Sequence, residues 1–212
     1  MADIRTIDQL QDALDKEMSW RLKEVVAFSV ASKANGPERK YFIRAGVALL
    51  YAHWEGFVKN SSELYLSFVG GRGLNYNQLK SCFSVFGLKS KLQMLAASRQ
   101  SQANIDAFDF ILQELGSKAR LQLGSAINTE SNLTSKVFSN IATSLDINLS
   151  TYSSRFNLID ESLVHRRNKI AHGEFIDIGG KEFGELLDDI LQIMREYKTD
   201  LENAASTEAY KR

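Results

Sequence analysis

The sequence predicts an all-α fold, and three features of its 212 residues support this class. A single proline occurs in the whole chain, so long helices meet almost no residue that would break them. Apolar side chains recur at three- and four-residue spacing in several long segments, which is the period of a helix with one buried face. Apolar residues make up 44% and charged residues 25%, a globular composition that can build a core. No repeat or linker is visible, so we expect residues 1–212 to form a single domain.

The first two predicted helices span residues 7–32 and 37–68. The apolar face of the first consists of Leu10, Leu14, Met18, Leu22 and Val25. The apolar face of the second consists of Ile43, Val47, Leu50, Trp54 and Phe57. The segment Ala34-Asn35-Gly36-Pro37 separates them, because glycine and asparagine suit the end of a helix and proline suits the first turn of the next. A polar line along the second helix consists of Arg44, Tyr51 and Glu55.

Three shorter helices are predicted between residues 77 and 145. The first spans residues 77–97, with Gly87 as a candidate break, and its apolar face consists of Leu79, Phe83, Phe86, Leu92 and Leu95. The second spans residues 105–115, and residues 116–131 are expected to include irregular structure. The third ends near Leu145 and carries Val137 and Ile141, with Asn132 or Thr134 as its N-cap. Trp20, Trp54 and Cys82 are predicted to lie in the core.

The last two helices are predicted at residues 153–172 and 181–205. Gly173 ends the first of them, since glycine adopts the left-handed conformation that closes many helices. Acidic residues occupy the first turns of the last helix, where they interact favourably with the positive end of the helix dipole. Its apolar face consists of Phe183, Leu186, Leu187, Ile190, Met194, Tyr197 and Leu201.

Charge, cysteine content and apolar runs exclude several classes of protein. Lys and Arg total 26 and Asp and Glu total 26, which argues against a protein that coats nucleic acid electrostatically but leaves room for a local basic site. One cysteine excludes an internal disulfide and a cysteine-based zinc ribbon. No signal peptide is recognised, and the most apolar stretch, residues 45–54, is too short for a membrane span. We therefore expect a soluble cytoplasmic protein with no membrane association.

Residues 165–174 are the most informative stretch for function. Two of the three histidines lie here beside Arg166, Arg167 and Lys169. At 100° per residue, one face of an ideal helix consists of Glu161, His165, Asn168 and His172. The opposite, core-facing side consists of Phe156, Ile159, Leu163 and Ile170. An imidazole that titrates near neutral pH and an arginine that binds phosphate suit phosphodiester chemistry.

The spacing of Arg167 and His172 restricts how the two side chains can meet. Five residues correspond to about 140° around a helix, so the two point in different directions. They converge if the arginine wraps around, if the helix distorts near Gly173, or if a two-fold axis completes the site. His165 and His172 lie two turns apart, about 10.5 Å, which is too far to share a metal ion. No metal and no cofactor are expected.

This stretch resembles the signature of the HEPN superfamily, the higher eukaryotes and prokaryotes nucleotide-binding domains. The matching residues are Arg167-Asn168-Lys169-Ile170-Ala171-His172, and Gly173 completes the form R-N-x-x-A-H-G. Residues 44–57 are also similar to the long helix of defence-associated bacterial members. The resemblance spans residues 37–200 and implies an antiparallel helical bundle of the HEPN type, with additional helices inserted before the motif helix.

The resemblance also implies a metal-independent endoribonuclease that acts as a homodimer with one composite cleft. His172 would be the catalytic imidazole, Arg167 the phosphate-binding cation and Asn168 the residue that orients them. The ribose 2′-hydroxyl would attack the adjacent phosphate of an RNA substrate. Such proteins typically act as toxins, antiphage or abortive-infection effectors, or RNA-processing enzymes, so a cognate antitoxin or defence-system partner is expected.

Residues beside the signature are assigned from their position. Arg166, Lys169 and His165 are candidate substrate-binding residues, with a solvated rim as the alternative. Tyr51 and Glu55 are candidates for supporting the site, because they lie on the polar line of an otherwise apolar helix. For these two residues, and for Arg44 and His53 on the same helix, a buried or interfacial polar network between helices is the preferred interpretation.

Structural alternatives remain open for the signature itself. His172 would also be favourable as a cation at the end of a helix, and Arg167 could pair with Glu161 or a neighbouring acid. A second class of function is a HEPN-fold binding module without catalysis, which holds a nucleotide or a protein partner such as an antitoxin or nucleotidyltransferase. A third is a helical scaffold in which the motif is coincidental.

Overall fold

The computed structural model describes residues 4–33, 36, 38–121 and 127–212. Within these ranges the chain forms α1 (Ile7–Ser32), α2 (Arg39–Gly71), α3 (Ser81–Ala97), α4 (Ser101–Glu114), α5 (Ser135–Ser144), α6 (Arg166–Ala171) and α7 (Gly180–Ser206). Short 3₁₀ turns lie at Tyr76–Gln78 and Ser153–Arg155, and a π-helical segment at Leu158–His165 leads into α6. The predictions about Ala34, Asn35, Pro37 and residues 122–126 fall outside the described residues.

The all-α class is confirmed for the part of the chain that the structure describes. Its only β-type pairing consists of two isolated bridges, Asn75 with Lys118 and Leu79 with Lys211. None of these helices has both the length and the apolar content that a membrane crossing requires.

The core is built around α2, which packs along α1 and α7 while those two also contact each other. Every residue of the apolar faces predicted for α2 and α7 is buried, so these two predictions are confirmed. Gly46 permits the close crossing of the two helices, since a Cβ atom there would lie 2.5 Å from the Cζ of Phe183. Phe138 of α5 joins the same core, with its ring centroid 5.1 Å from Trp54 and 5.4 Å from Tyr197.

The prediction that Trp20 lies in the core is wrong. Its side chain is 43% exposed, whereas the next residue, Arg21, is 3% exposed. Arg21 reaches inward because its guanidinium pairs with Glu17 at 2.5 Å and covers the Trp20 ring at 4.4 Å. Arg21 lies on the same face of α1 as Leu14, Met18 and Val25, so its apolar stem joins the core, whereas Trp20 lies off that face. Cys82 is half-buried at the margin of the core, and Trp54 is fully buried as expected.

The helices α3 and α4 form a peripheral pair that departs from the predicted pattern. Leu79 and Phe83 are buried, but Leu92 at the far end of the predicted stripe is exposed. Gly87 does not break α3. It lies under the Tyr76 ring, where a Cβ atom would come within 2.2 Å of the hydroxyl oxygen. Close packing therefore explains this glycine better than a helix break.

The start of α5 is set by side-chain hydrogen bonds. Thr134, rather than Asn132, is its N-cap, because the Thr134 hydroxyl accepts from the Val137 N–H at 3.3 Å. The Asp160 carboxylate of the π-helical segment accepts from the Ser135 N–H at 2.7 Å and from its hydroxyl at 2.6 Å. The helix that carries the motif is thereby tied to the beginning of α5.

The helix predicted at residues 153–172 forms, but it does not wind uniformly. Leu158–His165 is π-helical, so the 100° step per residue does not hold there and the predicted polar line through Glu161 and His165 is not continued regularly. Core contact is nevertheless as predicted, with Ile159 and Leu163 fully buried. Regular winding resumes at Arg166, before the signature begins.

A buried histidine in α2 gives the fold an expected pH dependence. His53 is 3% exposed, and burial lowers its pKa from the ordinary 6.5, although Glu24, 3.2 Å from Nε2, partly opposes this. The unfolded chain binds this proton more readily than the folded chain does. The contribution of neutral His53 to the free energy of unfolding is therefore complete above pH 6.5, and it is lost as the pH falls from there through the folded-state pKa. We expect the urea midpoint to fall between about pH 8 and about pH 5.5.

The His53 prediction is checked with two variants. The variant His53→Phe should flatten the pH dependence, whereas His165→Gln, which alters an exposed histidine, should leave it unchanged. Equal slopes in the wild type and His53→Phe would assign the pH dependence to other groups.

Candidate functional site

The signature lies at the end of α6, where the helix closes in a tight turn. The His172 N–H donates to the Asn168 carbonyl at 3.0 Å, and the Glu174 N–H donates to the Lys169 carbonyl at 2.9 Å. Gly173 has φ = +79°, the left-handed conformation predicted for it, and this permits the closure. His172 is consequently presented to solvent at the helix terminus.

Arg167 turns in the other direction, towards α2. Its guanidinium carbon lies 3.9 Å from the centroid of the buried Tyr51 ring. The guanidinium also donates to Asn168 Oδ1 at 2.7 Å and to the Ser131 carbonyl at 3.4 Å. All three partners are neutral groups.

The charge of Arg167 is not neutralised by a direct ion pair. No carboxylate in the described ranges lies within 4.0 Å of its guanidinium, so the predicted pairing with Glu161 is absent from them. The neighbouring Arg166 differs, since it pairs directly with Glu182 at the start of α7. A half-buried cation held only by neutral groups retains attraction for an anion.

The loop before α5 helps to hold this cation in place. Glu130 and Ser131 have φ values of +54° and +59°, which are unusual for residues with a side chain. The loop is anchored to α2, because the Leu133 N–H donates to the Tyr51 hydroxyl at 2.8 Å and the Trp54 indole donates to the Leu133 carbonyl at 3.3 Å. This anchoring fixes the Ser131 carbonyl that accepts from Arg167.

Tyr51 stays neutral under the arginine. Burial raises the pKa of its phenol, and the nearby Glu55 carboxylate raises it further, while the Leu133 N–H acts in the opposite direction. A neutral ring presents its π face to the guanidinium without adding a negative charge.

The polar line of α2 also contacts the turn after the signature. Arg44 Nη2 donates to the Glu174 carbonyl at 2.9 Å, and its guanidinium carbon lies 5.8 Å from the Phe175 ring centroid. Tyr51 therefore contacts the first residue of the signature and Arg44 contacts the residue that follows its last, in agreement with the predicted network between helices.

The family model described as RiboL-PSP-HEPN matches residues 16–203, which is most of the chain. The chain belongs to the RiboL-PSP-HEPN family. The resemblance to the HEPN superfamily is therefore confirmed. No curated protein and no solved structure matches this sequence.

The HEPN signature thus divides into two parts in this chain. Arg167, Asn168 and Tyr51 come together in one cluster, with Glu55 acting on the Tyr51 phenol from nearby. His172 lies outside that cluster and is exposed. Arg167 does not wrap around α6 towards His172, because its side chain reaches towards α2. The helix is also not distorted before Ala171, because it winds regularly to that residue. Completion of the site across a two-fold axis is the route that stays a prediction.

The residues assigned to substrate binding occupy different environments. Arg166 is engaged with Glu182, Lys169 is half-buried and His165 is exposed. Their roles in this HEPN domain stay predictions. Two further contributors were not foreseen, the Ser131 carbonyl and the Asp160 carboxylate that caps α5.

The chemistry available at the HEPN site is that of an imidazole and an anchored guanidinium. In the described parts of the chain, no three His, Cys, Asp or Glu side chains are grouped so that they could hold a metal ion. The set suits proton transfer at His172 and anion binding at Arg167.

Proposed function

We propose that this HEPN protein is a metal-independent endoribonuclease that acts as a homodimer. The observation that carries the proposal is the state of Arg167, which is held by the Tyr51 ring, Asn168 and the Ser131 carbonyl and paired with none of the described carboxylates. A fixed cation of this kind suits the phosphate of an RNA backbone better than a purely structural role.

The reaction begins at the ribose 2′-hydroxyl. His172 accepts its proton as the oxygen attacks the adjacent phosphorus, and Arg167 stabilises the negative charge that develops on the phosphoryl oxygens. The bond to the 5′-oxygen then breaks, and that oxygen takes up a proton from an imidazolium. The products are one RNA fragment with a 2′,3′-cyclic phosphate and one with a 5′-hydroxyl. Asn168 maintains the orientation of the arginine during these steps.

Two copies of the signature complete one cleft in this proposal. Arg167 and His172 diverge by about 140° on a regular helix, and their side chains have different surroundings in the same chain. A two-fold axis beside the two α6 helices would bring the arginine of one copy near the histidine of the other. It would also provide a second imidazole for the proton that the leaving oxygen needs.

The proposed activity suggests a biological setting. The resemblance to defence-associated HEPN proteins implies that such a ribonuclease would be a toxin or an antiphage effector of the cytoplasm that is held in check by a cognate partner. These assignments rest on the nuclease proposal, and the non-catalytic binding module is the outcome that would replace it.

A cleavage assay in the presence of EDTA tests the proposal. We expect a labelled RNA to be cut without added metal, because His172 and Arg167 provide both proton transfer and charge stabilisation. End-group analysis should find 2′,3′-cyclic phosphate, and a substrate with 2′-deoxyribose at the cut site should resist. Cleavage that stops with chelator would contradict the mechanism. Tight RNA binding without cleavage would favour the binding module.

A further inference from the structure

The residue two positions after Gly173 has an unusual exposure. Phe175 is 70% exposed, more than any other large apolar side chain in the described ranges. An exposed phenyl ring forfeits the free energy that burial would give, so such rings often mark a binding surface.

The ring is held on a fixed turn rather than on a loose loop. The preceding residue, Glu174, is anchored through its N–H to the Lys169 carbonyl at 2.9 Å and through its carbonyl to Arg44 at 2.9 Å. The Arg44 guanidinium also lies 5.8 Å from the Phe175 ring centroid. The position of the ring relative to His172 is therefore set by the same turn that closes α6.

A second exposed ring lies on α2, one turn before Arg44. Tyr41 is 58% exposed, and Lys40 Nζ lies 5.3 Å from its ring centroid. Lys40 and Tyr41 lie about one helical turn before Arg44, which lies beside Phe175, so we group these four residues as the aromatic platform. It combines exposed π faces with cationic groups, which is the composition of surfaces that hold single-stranded nucleic acid.

The aromatic platform adjoins the motif through Arg44, which donates to the carbonyl of Glu174, the residue directly after the signature. Arg44 and Tyr51 are seven residues apart on α2, a rise of about 10.5 Å, and the Tyr51 ring contacts Arg167. Glu174 and Asp177 flank Phe175 and moderate the local positive charge. Stacking on the rings, more than attraction of phosphates, would accordingly provide the affinity there.

We propose that the aromatic platform stacks an unpaired base of the RNA beside the scissile phosphate, with Phe175 as the principal stacking residue. The proposal rests on the proposed nuclease function and adds a base-stacking residue to it. Arg44 acts as a positioning residue, because it holds the turn that carries Phe175.

The test measures binding of a fluorescent single-stranded RNA oligonucleotide by anisotropy. Every protein in the test carries His172→Ala, so that the RNA is not cut. Adding Phe175→Ala should weaken binding by about tenfold, whereas Phe175→Trp should retain it. The slope of log affinity against log salt should stay the same, because no phosphate contact is removed. The matched control is Phe108→Ala, since Phe108 is a 54% exposed phenylalanine on α4.

The possible outcomes separate this proposal from the nuclease proposal. If Phe175→Ala in the otherwise native chain binds and cuts RNA as the wild type does, the platform is refuted and the nuclease stands. If Phe175→Ala converts a dimer to a monomer in light scattering, the ring is a contact between copies and the platform is also refuted. A wild type that neither binds nor cuts RNA would refute both proposals.

Discussion

Replacing His172 with alanine is expected to reduce RNA cleavage on the order of a thousandfold, because general acid–base catalysis is lost at the scissile phosphate. The side chain is exposed at the end of α6, so the fold should not change. The measurement is kcat/KM on a defined RNA, together with the thermal midpoint of each protein. A His172→Ala protein that cuts RNA at the wild-type rate would contradict the mechanism.

Arg167→Ala is expected to cause a loss of similar size, since it removes the guanidinium that the proposed mechanism assigns to stabilising the phosphoryl charge. Arg167→Lys should recover little activity, because an ammonium cannot match the planar stacking and the two hydrogen bonds. Arg166→Ala is the matched control. It removes the adjacent arginine and its pair with Glu182 while leaving the Arg167 contacts in place. Equal losses for Arg166→Ala and Arg167→Ala would point to a general effect of basic charge.

Co-expressing the His172→Ala and Arg167→Ala chains is expected to restore cleavage by on the order of a hundredfold over either variant alone. A mixed dimer has one intact histidine and one intact arginine, and a shared cleft can bring these together. The measurement uses two affinity tags, so that only mixed dimers are purified and assayed.

The control for this experiment is a mixed-tag dimer of two His172→Ala chains, which should remain inactive. If the mixed dimer of the two different variants is equally inactive, the chains do not share a site. The arginine and histidine of a single chain would then have to act together, which the regular winding of α6 makes unfavourable.

The helices with one wide apolar face were predictable from sequence. In α2 and α7 every residue of the predicted stripe is buried, because both helices lie at the centre of the bundle. The stripes are incomplete, since α2 also buries Val58, Leu66 and Phe68, and α7 also buries Leu191 and Ile193. Periodicity was less informative where a helix lies at the edge. Leu92 belongs to the stripe of α3 but is exposed, since α4 is the main neighbour of that helix and does not cover it. Trp20 is exposed because Arg21, and not Trp20, lies on the buried face of α1.

The side chains of the candidate site were predictable from the sequence, whereas the backbone group that contributes to it was not. The adjacency of Arg167 and Asn168 follows from the motif, and Tyr51 was marked by the polar line of α2. The Ser131 carbonyl had no signal, because a backbone acceptor can belong to any residue and its direction depends on a loop with positive φ. Phe175 has no signal in the sequence, since exposure is a property of the folded chain.

The π-helical segment before α6 has a consequence for how this protein tolerates change. Asp160 within the segment accepts a hydrogen bond from Ser135 at the start of α5, and Arg167 beyond the segment donates to the Ser131 carbonyl in the preceding loop. The motif helix is therefore bonded to both the loop and the helix that follows it. Because the segment winds with i→i+5 hydrogen bonds, its winding sets the direction in which Arg167 leaves the helix relative to Asp160. Many substitutions at exposed positions of this segment would leave both hydrogen bonds in place. What the segment contributes to the site is therefore its π-helical winding, which sets the angle between Asp160 and Arg167.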